Sequence, residues 1–147
     1  MNHNLTSANL KSTINAPLEL VWPTIKRFDG VEKYLPMVNS CHLKIINGQT
    51  NRVCSVQMSP DQAAKFVEKL DFVDESKHAI GYTVTEGPEI FKDATGIITL
   101  SALSKDRCEI DFSGTFRGEN NQQAKKMAEE IYAMILDGLK KMHEKQP

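Results

Sequence analysis

Glu68 has the most telling setting of any ionisable residue in this sequence. It stands in the same two-residue phase as Phe66, Leu70 and Phe72, so a strand over residues 66–73 carries a carboxylate on its apolar side. A carboxylate placed there needs a cation or a donor beside it, or it must take up a proton. That setting suits a polar anchor inside a pocket or a general acid/base. It equally suits a structural ion pair, or a rim glutamate displaced by a bulge. Arg52 is the natural partner, in phase with Cys54, Val56 and Met58. The turn around Pro60 decides whether the two meet. A three-residue loop sets Arg52 opposite Glu68, a five-residue loop sets it opposite Leu70, and an even loop turns it outward. Tyr82, in phase with Ile80 and Val84, brings a hydroxyl to an apolar row, where it orients a ligand or simply packs. Glu86 falls at the following turn and reads as a rim or solvent residue.

Other chemistries find little footing. Cys41 and His42 are neighbours that a strand points to opposite faces, and Cys54, His78 and Cys108 lack ligand-type spacing. No metal site and no cofactor are expected. Nucleophile elbows, phosphate-binding glycine loops and His-Glu-x-x-His motifs are missing. Three cysteines, an odd number, predict reduced thiols and a cytoplasmic protein. Eighteen Lys+Arg against nineteen Asp+Glu give a net charge of -1, which supplies no overall field toward nucleic acid. Apolar runs such as Leu20-Val21-Trp22 fall far short of the roughly 20 residues a membrane span needs. The N-terminus lacks the basic and apolar regions of a secretory signal. With 147 residues, 40% hydrophobic and 25% charged, the chain reads as one globular domain.

The elements that must position these residues follow from periodicity. Residues 1–8 are polar and expected to be a flexible lead, with a single domain over residues 9–145. A strand over residues 9–15 precedes a helix opening at Ala16-Pro17, whose buried face is Leu18, Val21, Trp22, Ile25 and Phe28. Pro23 removes a backbone bond to Glu19 and predicts distortion near Trp22. Residues 31–35 make one further turn. Six strands follow, separated by turn residues at Asn47-Gly48, Ser59-Pro60-Asp61, residues 74–77, Glu86-Gly87-Pro88 and residues 104–106. The last, with Cys108, Ile110, Phe112, Gly114 and Phe116 in phase, alternates most clearly. A helix over residues 121–145, about 37 Å long, carries the stripe Ala124, Met127, Ala128, Ile131, Ile135, Leu139 and Met142. Asn120 and Gln123 read as its capping box. Gly138 inside it costs about 1 kcal/mol relative to Ala unless something packs closely there. The order predicts a bent, mostly antiparallel sheet closed on its concave side by the long helix.

Five stretches in order carry a family likeness: Ile14-Asn15-Ala16-Pro17 with Val21-Trp22; Phe28-Asp29-Gly30 through Tyr34-Leu35-Pro36; Val67-Glu68-Lys69-Leu70 with Asp74; Tyr82 with Glu86-Gly87-Pro88; and ILDGLK at residues 135–140. Together they resemble the START/birch-pollen-allergen superfamily, most closely its polyketide cyclase/dehydrase-like branch. Pro23, and Glu89-Ile90-Phe91 after the Glu-Gly-Pro turn, depart from its usual pattern. The resemblance implies an α+β helix-grip fold: a curved antiparallel sheet of about seven strands around a long C-terminal helix, with two short helices after the first strand. It further implies a cavity for an apolar or amphipathic small molecule, with Arg52, Glu68, Tyr82, Phe112, Phe116, Met127, Ile131 and Ile135 as candidate ligand-binding residues. Core or pocket wall, rather than a specific contact, is the plainer reading for Phe112 and Phe116, and core packing for Met127. Three functions are then expected in order: a binding or carrier module for a lipid, polyketide-like or aromatic ligand; a cyclase or dehydrase in which Glu68 moves a proton and Tyr82 or Arg52 polarises a carbonyl; and a docking module using loops at residues 57–62 and 86–91. The expected partner is a small hydrophobic ligand, with no nucleic acid and no integral membrane segment. A homodimer is compatible with all three.

Overall fold

In a computed structural model, which describes residues 4–145, the strand signals assemble into one seven-stranded antiparallel sheet. The elements run β1 (Leu5–Ile14), α1 (Leu18–Lys26), a 3-10 turn (Val31–Lys33), β2 (Val38–Ile46), β3 (Gln49–Ser59), β4 (Gln62–Asp74), β5 (Ala79–Glu86), a second 3-10 turn (Glu89–Phe91), β6 (Thr95–Ser104), β7 (Arg107–Arg117) and α2 (Gln122–His143). The strand order β1-β7-β6-β5-β4-β3-β2 makes β1 and β2 the two edges. Each of β2 to β7 pairs with its sequence neighbour, as short hairpin connections require. The α1 segment carries the chain from one edge to the other, and α2 returns along the concave face against β1. This is the helix-grip arrangement. Among the described residues, no helix is long and apolar enough to cross a membrane.

Turn chemistry sets the registers. Asn47 and Gly48, both at positive φ, form a two-residue hairpin turn that fixes β2 against β3. Pro60-Asp61 is an even, two-residue loop between Ser59 and Gln62, which alone would turn Arg52 outward. A bulge between Gln57 and Ser59 leaves Met58 unpaired and restores the odd count, so Arg52 lies opposite Glu68. A second bulge, between Leu70 and Phe72, corrects the expectation for Phe72. It pairs with Gly81 on the outer face and is 41% exposed, whereas Leu70 pairs with the inward Tyr82.

Three further expectations are corrected. Leu5–Ala8 are not a flexible lead: they pair with residues 114–117 of β7. Thr6 Oγ1 donates to the Gly118 carbonyl at 2.5 Å and accepts from the Asn121 amide at 2.7 Å. The polar residue that looked like a frayed end satisfies the loop between β7 and α2. Residues 1–3 of that lead lie outside the described residues. The helix reading through Pro23 holds, with α1 continuous over Leu18–Lys26; the bond Pro23 forgoes is the one to the carbonyl of exposed Glu19, and the Arg27 N–H closes the last turn on the Pro23 carbonyl. The cap of α2 is Asn121, whose side chain accepts from the Ala124 amide at 3.2 Å, while Asn120 sits at φ 56° just outside. The thiols are not all reduced. Cys41 and Cys54 face each other across β2 and β3, with Cα atoms 4.2 Å apart, and form a disulfide; Cys108 is buried and free. With that disulfide the thiol argument for a cytoplasmic location falls.

Ile14, Val21, Leu100, Cys108, Ile110, Phe112 and Leu139 form the most deeply buried part of the core. Gly138 explains how α2 comes so close: a Cβ there would overlap the backbone carbonyl of Tyr34. The helix penalty of this glycine is thus offset by close docking onto the turn after α1.

Candidate functional site

Arg52 reaches the concave face from β3, between two aromatic rings. Its guanidinium carbon lies 4.1 Å from the Phe28 ring centre and 4.9 Å from that of Tyr82. The π faces offer this cation a partly apolar environment in which it is still attracted. Nε donates to Glu68 Oε1 at 2.5 Å and Nη1 to the Phe28 carbonyl at 3.0 Å. Both side chains are largely buried, 11% exposed for Arg52 and 15% for Glu68. Burial works against the Arg52 charge most strongly of any single influence, but the Glu68 carboxylate, its hydrogen bond and the Tyr82 and Tyr34 hydroxyls together outweigh it, so the guanidinium holds its proton above its already high ordinary value.

Three phenols stand nearby. Burial raises the Tyr34 hydroxyl, with Arg52 pulling it down and Glu68 pushing it up. Burial, reinforced by Glu68 and partly opposed by Arg52, raises Tyr82 as well. Tyr132 on α2 is pushed up to about 12 by burial, with Glu129 adding to it. All three therefore stay protonated at neutral pH, each with an O–H able to donate.

Between the sheet and α2 lies a cavity of about 120 Å³. Its wall is mainly apolar, and Arg52, Glu68, Tyr82 and Tyr132 supply most of its polar groups, together with Thr95, whose Oγ1 is paired with Thr115 Oγ1 at 2.7 Å. Of the residues expected to line a pocket, Arg52, Glu68, Tyr82, Phe116, Ile131 and Ile135 do so. Phe112 and Met127 do not. Phe112 stacks on Tyr132 with ring centres 5.3 Å apart and planes within 9°, which leaves it behind the wall. Met127 packs against the core, half-buried. Glu86 is exposed and pairs with Lys65 at 3.5 Å, as a rim residue should.

Several wall residues went unforeseen. Tyr132 lies in register with Ala124, Ala128, Ile135 and Leu139, all buried, and that spacing was the available signal. Phe91 closes the cavity from the second 3-10 turn and meets the rings of Phe66 and Phe116 at 5.8 and 6.2 Å. Met37 and Leu35 enter from the segment before β2, where irregular backbone offers no period to read.

Residues 6–144 match the sequence profile of a family described as polyketide cyclase/dehydrase and lipid transport. Among curated proteins the chain is similar to abscisic acid receptor PYL10 of Arabidopsis thaliana. The two are 31% identical over 112 residues, 71% of this chain and 60% of that protein. It is also similar to abscisic acid receptor PYL2 of the same plant, 32% identical over 89 residues, 60% of this chain and 47% of that protein. The chain thus spans about half the length of the curated relatives it matches. Among solved structures it resembles XoxI from Bacillus cereus, with TM-score 0.81, 20% identity and coverage of 94% and 95% of the two chains. Ginseng major latex-like protein 151 from Panax ginseng gives TM-score 0.80, 14% identity and coverage of 97% and 99%. The Zhui aromatase/cyclase of a Streptomyces strain gives 0.77, 15%, and 94% and 93%. At these identities the three show a common fold.

Proposed function

Because this chain belongs to the polyketide cyclase/dehydrase and lipid-transport family, we propose that it binds a small, largely apolar molecule in the cavity between the sheet and α2. The observation that carries this reading is a hydrogen-bonded Arg52–Glu68 pair set into the wall of an otherwise apolar cavity. Apolar walls supply affinity through buried area, and the few polar groups orient one end of the ligand.

Size narrows the class. One water needs roughly 10–15 Å³ of such volume, so a cavity of about 120 Å³ has room for on the order of ten waters. That space suits a molecule of about one or two rings and is short for an extended acyl chain. The names of the plant relatives, abscisic acid receptors, support a ligand of this scale.

Glu68 as a free acid/base is the less favoured reading, because Oε1 is already engaged by Arg52. The test uses a neutral, two-ring fluorescent probe, 1-naphthylamine, titrated into the purified protein. Ala128 lies in the wall on α2, and Ala128→Leu fills part of the cavity. Saturable probe binding that weakens at least tenfold in a folded Ala128→Leu protein is expected. Absence of saturable binding, or equal binding by the variant, would overturn the proposal.

A further inference from the structure

The anchor of this cavity is electrically balanced, which restricts the ligand headgroup it accepts. Arg52 has five N–H donors; Nε serves Glu68 and one on Nη1 serves the Phe28 carbonyl. Arg52 Nη2 and Glu68 Oε2 make no hydrogen bond within the described protein. Neither is among the side-chain atoms sealed from solvent without a partner. Both residues line the cavity, so the pair brings to it a donor and an acceptor that the protein's own hydrogen bonds leave unused. An ionised ligand carboxylate would meet a guanidinium whose charge Glu68 already neutralises. It would also bring a second carboxylate close to the first in a weakly screened site, where like charges repel strongly.

We infer that the Arg52–Glu68 pair selects an uncharged headgroup bearing an acceptor and a donor together, of the primary-amide or hydroxy-ketone kind, over an ionised carboxylate. This rests on the cavity-binding reading above and names the ligand class within it. The acceptor takes an Nη2 proton of Arg52, and the donor serves Oε2 of Glu68. No bond is made or broken. The apolar body lies toward Phe91, Phe116 and Ile135, which share the wall.

A matched pair of two-ring probes tests it: 2-naphthamide and 2-naphthoate, alike in shape and different in charge at pH 7.5. Each is titrated by calorimetry into the wild-type protein and into Glu68→Gln, with circular dichroism to establish that the variant is folded. The wild type is expected to bind the amide at least tenfold more tightly than the carboxylate. Glu68→Gln leaves Arg52 a neutral partner and a net positive charge at the cavity, and is expected to reverse the preference. A wild type that prefers the carboxylate, or a folded variant with an unchanged ratio, overturns the headgroup inference and leaves cavity binding standing. Failure of both probes and of 1-naphthylamine to bind the wild type overturns the cavity reading itself, and the inference falls with it.

Discussion

Arg52 and Glu68 stabilise the fold only as a pair. Separately each is a charge brought out of water, and removing one partner from such a pair costs about 3–5 kcal/mol, whereas replacing both with apolar groups is often nearly neutral. Arg52→Met is therefore expected to lower unfolding stability by about 3 kcal/mol, with the loss also including the contacts to the Phe28 and Tyr82 rings. The double variant Arg52→Met/Glu68→Met should recover most of it; urea denaturation of the two proteins measures the difference. A double variant no more stable than the single one would show that ring packing, not charge pairing, is what Arg52 supplies. The phase of each residue was legible in the sequence, but whether they met was not. Their meeting depends on one extra residue, Met58, at a bulge, and a methionine in a bulge looks like a methionine in a strand. Tyr132 escaped notice for a related reason. Met127 and Ile131 stand one position before Ala128 and Tyr132 on α2, and an apolar stripe read from residue type favours them over a tyrosine.

At the scale of elements, the C-terminal part of α2 is held by devices of different strength. One is the close approach of Gly138 to the Tyr34 carbonyl. Gly138→Ala, a change that would favour an isolated helix by about 1 kcal/mol, is expected instead to destabilise the protein by about 2–4 kcal/mol because backbone must move. A thermal melt that rises would disprove the close docking. Near its C-terminus, His143 Nε2 lies 2.8 Å from Thr24 Oγ1 of α1, and burial lowers the imidazole pKa. A lowered folded-state value means that the unfolded chain binds the proton more readily. Stability from this group is complete above the ordinary imidazole pKa near 6.5 and is lost as pH falls through the lower folded value. His143→Asn should therefore show a smaller fall in melting temperature between pH 7.5 and 5.5 than the wild type does; equal falls would remove His143 as a source. The long helix was readable from its period, as were the hairpins from Asn47-Gly48 and Ser104 to Asp106. The bulge that turns Phe72 outward was not, because Phe66, Leu70 and Phe72 present unbroken alternation. Only the partner strand, through Gly81 opposite Phe72, shows that the phase has changed.

For the molecule as a whole, the order of elements specified the architecture, since antiparallel neighbours joined by short turns leave one long amphipathic helix to cover the concave face. The space left under that helix was not legible in the same way. It depends on how closely α2 approaches each strand, and that follows from Gly138, the Tyr132–Phe112 stack and the placement of Phe91 rather than from any periodicity. Such a space is a standing cost. At about 24 cal/mol per Å³, a cavity of about 120 Å³ forgoes on the order of 3 kcal/mol of packing, less whatever water inside recovers at the polar groups. A protein whose role is binding regains that stability from its ligand, by RT ln(1 + [L]/Kd). The same variant that tests binding then has an opposite effect on the empty protein. Ala128→Leu, which places three more carbons in the cavity, should raise unfolding stability of the ligand-free chain by about 1 kcal/mol, a few degrees in Tm. It should also shrink the upward shift in Tm that saturating 1-naphthylamine produces in the wild type. If Ala128→Leu instead lowers Tm without ligand, the side chain at residue 128 meets packed neighbours, and the volume beneath α2 is closed rather than held open for a guest.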